Sequence, residues 1–336
     1  DGNNWPTEVG PFKRTNLIIH LLTGSVLAVL THQILRLLGR DPRQASLIAV
    51  LAAGCWLLHP FLVSTTLYVV QRMAQLATLF MFSGVIAYLY GRSLVATNAL
   101  KGYLVMSVGV GVFTLLAMLS KENGILLPVL VGVVELTIVA SQRPRIPALN
   151  RWWAGLFIVL PSIVIALYLV TRVLKPGFFD IVPPREFSLY ERVLTQGRIL
   201  LEYLQHWFLP KLYTAGVFQD HYVKSTGLFS PVTTLLSYLV HGALIAWAFA
   251  KRRQLPVCSL AVLFFYASHL LESTVINLEL YFEHRNYVAA AFLFLPLVEI
   301  SYRKLSGRAF GLAVLFVIVL LTSFTRYSAT VWQSLP

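Results

Sequence analysis

The chain has 336 residues, 57% of them hydrophobic and 12% charged, with a mean hydropathy of +0.72. A soluble domain carries roughly 25% charged residues, so this composition excludes an ordinary water-soluble fold and fits a surface that mostly faces lipid. The net charge of +13 would suggest nucleic acid in a soluble protein, but lysine and arginine collect in membrane-protein loops whatever the function, and no nucleic-acid partner is expected.

The first residues, DGNNWPTEVGPFKR, have neither the basic start nor the apolar run of a cleavable signal peptide. Ten apolar stretches then follow as predicted spans. They are Asn16–Leu38, Ala45–Leu58 (extendable to Val70), Met73–Tyr90, Gly102–Leu119, Gly124–Ser141, Trp153–Leu174, Pro231–Ala250, Pro256–Leu271, Val288–Ser301 and Ala309–Phe324. The ninth is short, which predicts a tilted or re-entrant segment. The expected fold class is all-α: a polytopic membrane protein of about ten transmembrane helices forming a single domain over 1–336.

Alternate loops carry Arg36/Arg40/Arg43, Arg92/Lys101, Arg143/Arg145/Arg151, Lys251/Arg252/Arg253 and Arg303/Lys304/Arg308, fourteen cations in all. The short loops between them hold only Arg72, Lys121 and Arg285. The positive-inside rule places the first set in the cytoplasm and the N-terminus outside. Cys55 and Cys258 then fall at opposite depths, too far apart for a disulfide. One outer connection, 175–230, is long and broken by Pro176, Pro183, Pro184 and Pro210. Within it LTQGRILLEYLQHWFLP (Leu194–Pro210) has helical apolar spacing around Arg198, Glu202 and His206, which predicts an amphipathic helix lying on the outer membrane surface. Phe178, Phe179, Phe187, Tyr190, Tyr213, Phe218 and Tyr222 surround it.

There is no Walker loop, no HExxH and no Cys/His set with zinc spacing, so no metal is assigned. GVGV at 109–112 reads as helix packing, Glu135 as an interhelical hydrogen-bond partner, and His20, His32 and His241 as packing residues. What remains lies in the three short outer loops: LLHPFLVSTTLYVVQRM with His59 and Arg72, LSKENGILLP with Lys121 and Glu122, and ESTVINLELYFEHRNY with Glu272, Glu279, Glu283, His284 and Arg285. Singly each has an ordinary explanation: a snorkelling arginine, a helix stop with Lys121 solvated, a solvated ion pair. Three outer cations, each beside an acid or imidazole, together suggest one task, holding a phosphate at headgroup level. Arginine grips phosphate oxygens two-pronged and lysine supplies a point charge. Arg72, Lys121 and Arg285, assisted by His59 and His284, are the expected phosphate ligands. Glu122 and Glu283 are second-choice candidates for acid/base work or acceptor contact, or for orienting those cations.

The strings TNLIIHLLTG, HPFLVSTTLYVVQRMAQLATLF, SKENGILLP, TGLFSPVTTLL and YFEHRNYVAAAFLFLP give the chain a resemblance to a family. It resembles the membrane half of bacterial relatives of the transmembrane-and-TPR protein O-mannosyltransferases, of the GT-C glycosyltransferase class, some of which glycosylate pilins. The resemblance implies a polyprenyl-phosphate-linked sugar donor, a protein or glycan acceptor such as a pilin or other secreted protein, and catalysis on the periplasmic face of a bacterial inner membrane. It also implies a principal catalytic acid in an outer loop upstream of this segment and a TPR tail downstream, so the chain is expected to be the core of a longer protein. Alternatives are a lipid-linked-glycan ligase or polymerase, a transporter, and a non-catalytic membrane subunit. Cysteines introduced beside Arg252 and beside Tyr222 should label from opposite sides of the membrane; labelling of both from one side would sink the topology.

Overall fold

The computed structural model describes residues 10–142, 148–181, 185–211 and 222–333. Arg143, Arg145, Pro183, Pro184, Tyr213 and Phe218 lie outside them. The described residues are helical and contain no strand. Seven helices are long and apolar enough to cross a membrane. In chain order the elements are α1 (Gly10–Leu37), α2 (Pro42–Leu57), α3 (Pro60–Leu67), α4 (Val69–Leu94), α5 (Ala99–Ser120), α6 (Glu122–Ser141) and α7 (Arg151–Val173). Then come α8 (Leu189–Phe208), α9 (Thr233–Lys251), α10 (Pro256–Ser268), α11 (Leu295–Lys304) and α12 (Gly307–Gln333).

Three of the ten expected spans are not continuous long helices. The second is the pair α2 and α3, bent by 56°. Pro60 offers no N–H, so the helix stops at extended His59, whose Nδ1 accepts the Phe61 N–H and starts the next turn. The eighth, α10, has 13 residues. The ninth is interrupted between Ala289 and Leu295, and Pro296 sits in the first turn of the helix that resumes. Residues 290–294 are apolar and buried in protein, the setting in which a membrane protein tolerates irregular backbone.

Helix α4 packs on α1, α5 and α6. Close approach to α5 needs glycine: a Cβ on Gly84 would lie 2.6 Å from the Gly109 carbonyl oxygen, and one on Gly91 2.7 Å from that of Gly102. Glu135 accepts from Tyr88 Oη at 2.5 Å and Arg92 Nε at 2.8 Å, joining α6 to α4 as an interhelical partner. His20 bridges Tyr287 Oη and the Leu57 carbonyl; His241 bridges Tyr266 Oη and the Gly197 carbonyl.

Helix α8 begins at a Ser188–Glu191 capping box and is amphipathic, as expected, with its buried face packed against the segment that follows α10. Arg192 and Gln196 face inward because the chain beside them presents backbone carbonyls that only polar side chains can satisfy, and His206 faces inward onto the Tyr281 hydroxyl.

Candidate functional site

After α10 the chain runs from His269 to Phe282 as turns and extended backbone, with few of its carbonyls bonded within the segment. Their partners come from α8 and from Arg285. Arg192, fully buried, donates from Nε to the Leu278 carbonyl at 2.7 Å, from Nη2 to Glu272 O at 2.6 Å, and from Nη1 to Thr274 O. Gln196 donates to Leu280 O at 2.7 Å. Tyr203 Oη donates to Phe282 O and accepts from Phe282 N–H, both at 2.9 Å. Arg285 donates to Leu280 O at 2.8 Å and Glu279 O at 2.6 Å and lies over the Phe282 ring.

Lys121 and Glu272 face each other across this framework. Lys121 interrupts the α5–α6 run with extended backbone (φ −157°, ψ 144°). The turn that follows brings Gly124 so close to α5 that a Cβ would lie 2.3 Å from Ala117 backbone. Lys121 is thereby buried rather than solvated, with Nζ 2.5 Å from Glu272 Oε1, an ion pair by distance without hydrogen-bond alignment. Asn123 donates to the same carboxylate at 3.3 Å. Burial alone would raise the Glu272 carboxyl, but Lys121, His284 and Arg285 together hold it at about 2. His284 is driven to about 3 by burial and by Lys121, so at neutral pH it is uncharged.

Glu283 is the opposite case. It is buried, makes no ion pair among the described residues, and is pushed up by burial to about 7. Ser64 lies beside it without a well-aligned hydrogen bond. The carboxyl lines a cleft with Ser64, Tyr68, Gln71, Phe282, His284 and Trp332, whose free space is no larger than a water molecule.

Of the sequence-predicted site residues, Lys121, His284 and Arg285 meet around Glu272. Arg285 spends donors on backbone carbonyls, so it shapes the loop that was expected to present it. Arg72 points to α1, donating to Asn16 Oδ1 at 2.9 Å and the Phe12 carbonyl at 3.1 Å. His59 is buried: Nε2 donates to the Trp207 carbonyl at 3.1 Å, and Nδ1 accepts from Phe61, so both nitrogens are occupied. It pins the α2–α3 bend to α8. Glu122 is exposed in the first turn of α6, with no hydrogen-bond or ion-pair partner among the described residues. Sequence reasoning passes over Arg192, Ser64 and Trp332, and it leaves Gln71 and Glu272, which lie in the singled-out loops, without a role. Arg192, Gln196, Tyr203 and His206 do follow helical spacing, a stripe that would have marked the inward face of α8.

No known protein family, curated protein or solved structure matches the chain.

Lys121→Met should destabilise the protein by about 3–5 kcal/mol, because it leaves Glu272 buried and unpaired. Lys121→Met with Glu272→Leu should recover part of that loss. Denaturation in nanodiscs checks this, and strictly additive losses would mean the pair is not coupled.

Proposed function

We propose that the chain is the membrane core of a glycosyltransferase of GT-C type that transfers a sugar from a polyprenyl-phosphate donor to a protein or glycan hydroxyl on the extracytoplasmic face. The observation that carries the reading is Glu283, a buried unpaired carboxyl poised near neutral pH, one residue from a cationic cluster at one end of a bundle of apolar helices. A general base works best when its pKa lies near the operating pH. Intramembrane-edge ionisable groups are expensive to keep without a task.

In this reading Glu283 takes the proton from the acceptor hydroxyl as its oxygen bonds to the anomeric carbon. The bond from that carbon to the phosphate oxygen breaks, and polyprenyl phosphate leaves with the electron pair. Lys121 balances the leaving charge, while Arg72, turned to α1, supports the fold. Arg285 acts mainly by holding the loop that carries Glu283. His284, uncharged, offers a hydrogen bond to phosphate or sugar. His59 supports the site from behind, and Glu122 is left as a solvent-facing carboxylate that an acceptor would meet first.

Transfer from a polyprenyl-phosphoryl sugar by the protein in nanodiscs should rise with pH through about 7, as Glu283 ionises. Glu283→Gln should lower it by about 10²–10⁴-fold, the usual share of a general base. A well-folded Glu283→Gln protein with wild-type transfer would refute the assignment.

A further inference from the structure

A separate pocket lies where the chain leaves the end of α7, and it shares no wall residue with the Glu283 cleft. It holds about 200 Å³, many times what one water needs, and Arg172, Lys175, Asp180, Phe187, Val275 and Asn277 are among its walls. The loop that builds it is fixed by its own bonds. Gly177 takes φ +90°, a conformation that residues with side chains rarely adopt, and the Asp180 N–H closes the turn on the Gly177 carbonyl at 3.1 Å. The Phe178 carbonyl accepts from the Tyr190 N–H at 3.0 Å, which ties the turn to the start of α8. The chain is thereby doubled back, and Asp180 comes to share one space with Arg172 and Lys175.

Two cations and a carboxylate line this pocket without cancelling one another. Among the described residues neither Lys175 nor Asp180 makes an ion pair, and Arg172 donates to the Tyr168 hydroxyl one turn back, at 2.8 Å. Separated charges of both signs complement a ligand that carries both signs itself. An oxygen-rich anion suits the guanidinium and the ammonium, and a cation with N–H groups suits the carboxylate. The surroundings say what carries them. Helix α7 is an apolar span with only 6% of its window buried in protein, and its end meets the rim of the pocket. Leu174 and Phe179 beside that rim are 76% and 71% exposed, apolar side chains that belong against lipid rather than in water. We infer that Arg172, Lys175 and Asp180 bind the phosphoethanolamine headgroup of a membrane phospholipid, its phosphate on Arg172 and Lys175 and its ammonium on Asp180. A trimethylammonium has no N–H to give Asp180, and a glycerol headgroup has no positive charge.

The pocket also touches the framework of the candidate site. Val275 and Asn277 belong to the stretch whose carbonyls Arg192 gathers between Glu272 and Leu278. Asn277 Oδ1 accepts from Arg185 Nη1 at 3.0 Å, so its side chain is already held in place. A bound headgroup braces the stretch that leads from Glu272 towards Glu283. The lipid here is a structural ligand and not a substrate, and its binding does not depend on the sugar-transfer reading.

The test is native mass spectrometry of the detergent-solubilised protein titrated with dioleoyl phosphatidylethanolamine, phosphatidylcholine and phosphatidylglycerol. Phosphatidylethanolamine should fill one site about 10-fold more tightly than either of the others, the worth of one charge-assisted hydrogen bond. Asp180→Asn should bring it down to the level of phosphatidylglycerol, while Asp180→Glu keeps the preference. Arg172→Ala with Lys175→Ala should weaken all three lipids, and Lys175→Arg should not. Lys175 and Asp180 are exposed, so these variants should melt as the wild type does in lipid-free detergent, which separates lost binding from a fold defect. Glycerophosphoethanolamine, the headgroup without acyl chains, should compete only weakly, because Leu174 and Phe179 contribute nothing to it. Equal occupancy by the three lipids would overturn the inference, as would an undiminished preference in a well-folded Asp180→Asn protein. Strong competition by the chain-free headgroup would overturn the assignment to a membrane lipid.

Discussion

The site depends on one buried guanidinium. Arg192 binds the carbonyls of Glu272, Thr274 and Leu278, three oxygens from a stretch that forms neither helix nor strand. Without it these buried carbonyls would lose their donor, a cost of about 1–3 kcal/mol each. The arginine is itself fully buried with no carboxylate partner among the described residues, so the carbonyl dipoles are what solvate it. Gln196, Tyr203 and Arg285 continue the same stitching as far as Phe282. Glu272 and Glu283 lie near the two ends of the stretch so held, and their positions follow from it.

From that framework the two carboxyls separate. Glu272 sits against Lys121, close to His284 and Arg285, and is held ionised at about 2. Glu283 lies at the other end of the segment, beside Ser64 and making no ion pair among the described residues, and burial brings it to about 7. Two carboxyls of one kind thus take different roles through environment, a fixed counter-charge and a titratable base. His284 completes the division: beside the cationic cluster it stays neutral and leaves Glu283 unpaired.

Much of the helical architecture can be read from the chain, because length and hydropathy decide whether an apolar run makes a spanning helix. The packing glycines and the α4–α6 tie through Glu135 are legible in the same way. The convergence of SKENG and EHRN also follows from loop alternation. The breaks are harder. A run such as VAAAFLFLP is apolar whether it is helix or buried turn, and the interruption before Leu295 reflects burial on all sides, which hydropathy does not register. At His59–Pro60 proline gives the signal, but the bend depends on His59 reaching Phe61 and Trp207. Arg192 was the hardest to see. A cation on an amphipathic helix reads as solvent-facing until its acceptors, some eighty residues away, are known. Trp332 and Ser64 carry no sequence signal at all, since each becomes informative only beside Glu283.

The most direct measurement is an infrared titration of the Glu283 carboxyl in nanodiscs, taken as the wild-type minus Glu283→Gln difference in the protonated C=O stretch. The band should be present at pH 5 and disappear with a midpoint near 7. A midpoint in the ordinary carboxylate range, near 4.3, would mean that Glu283 is solvated or paired, and would contradict the isolated buried base on which the site is built.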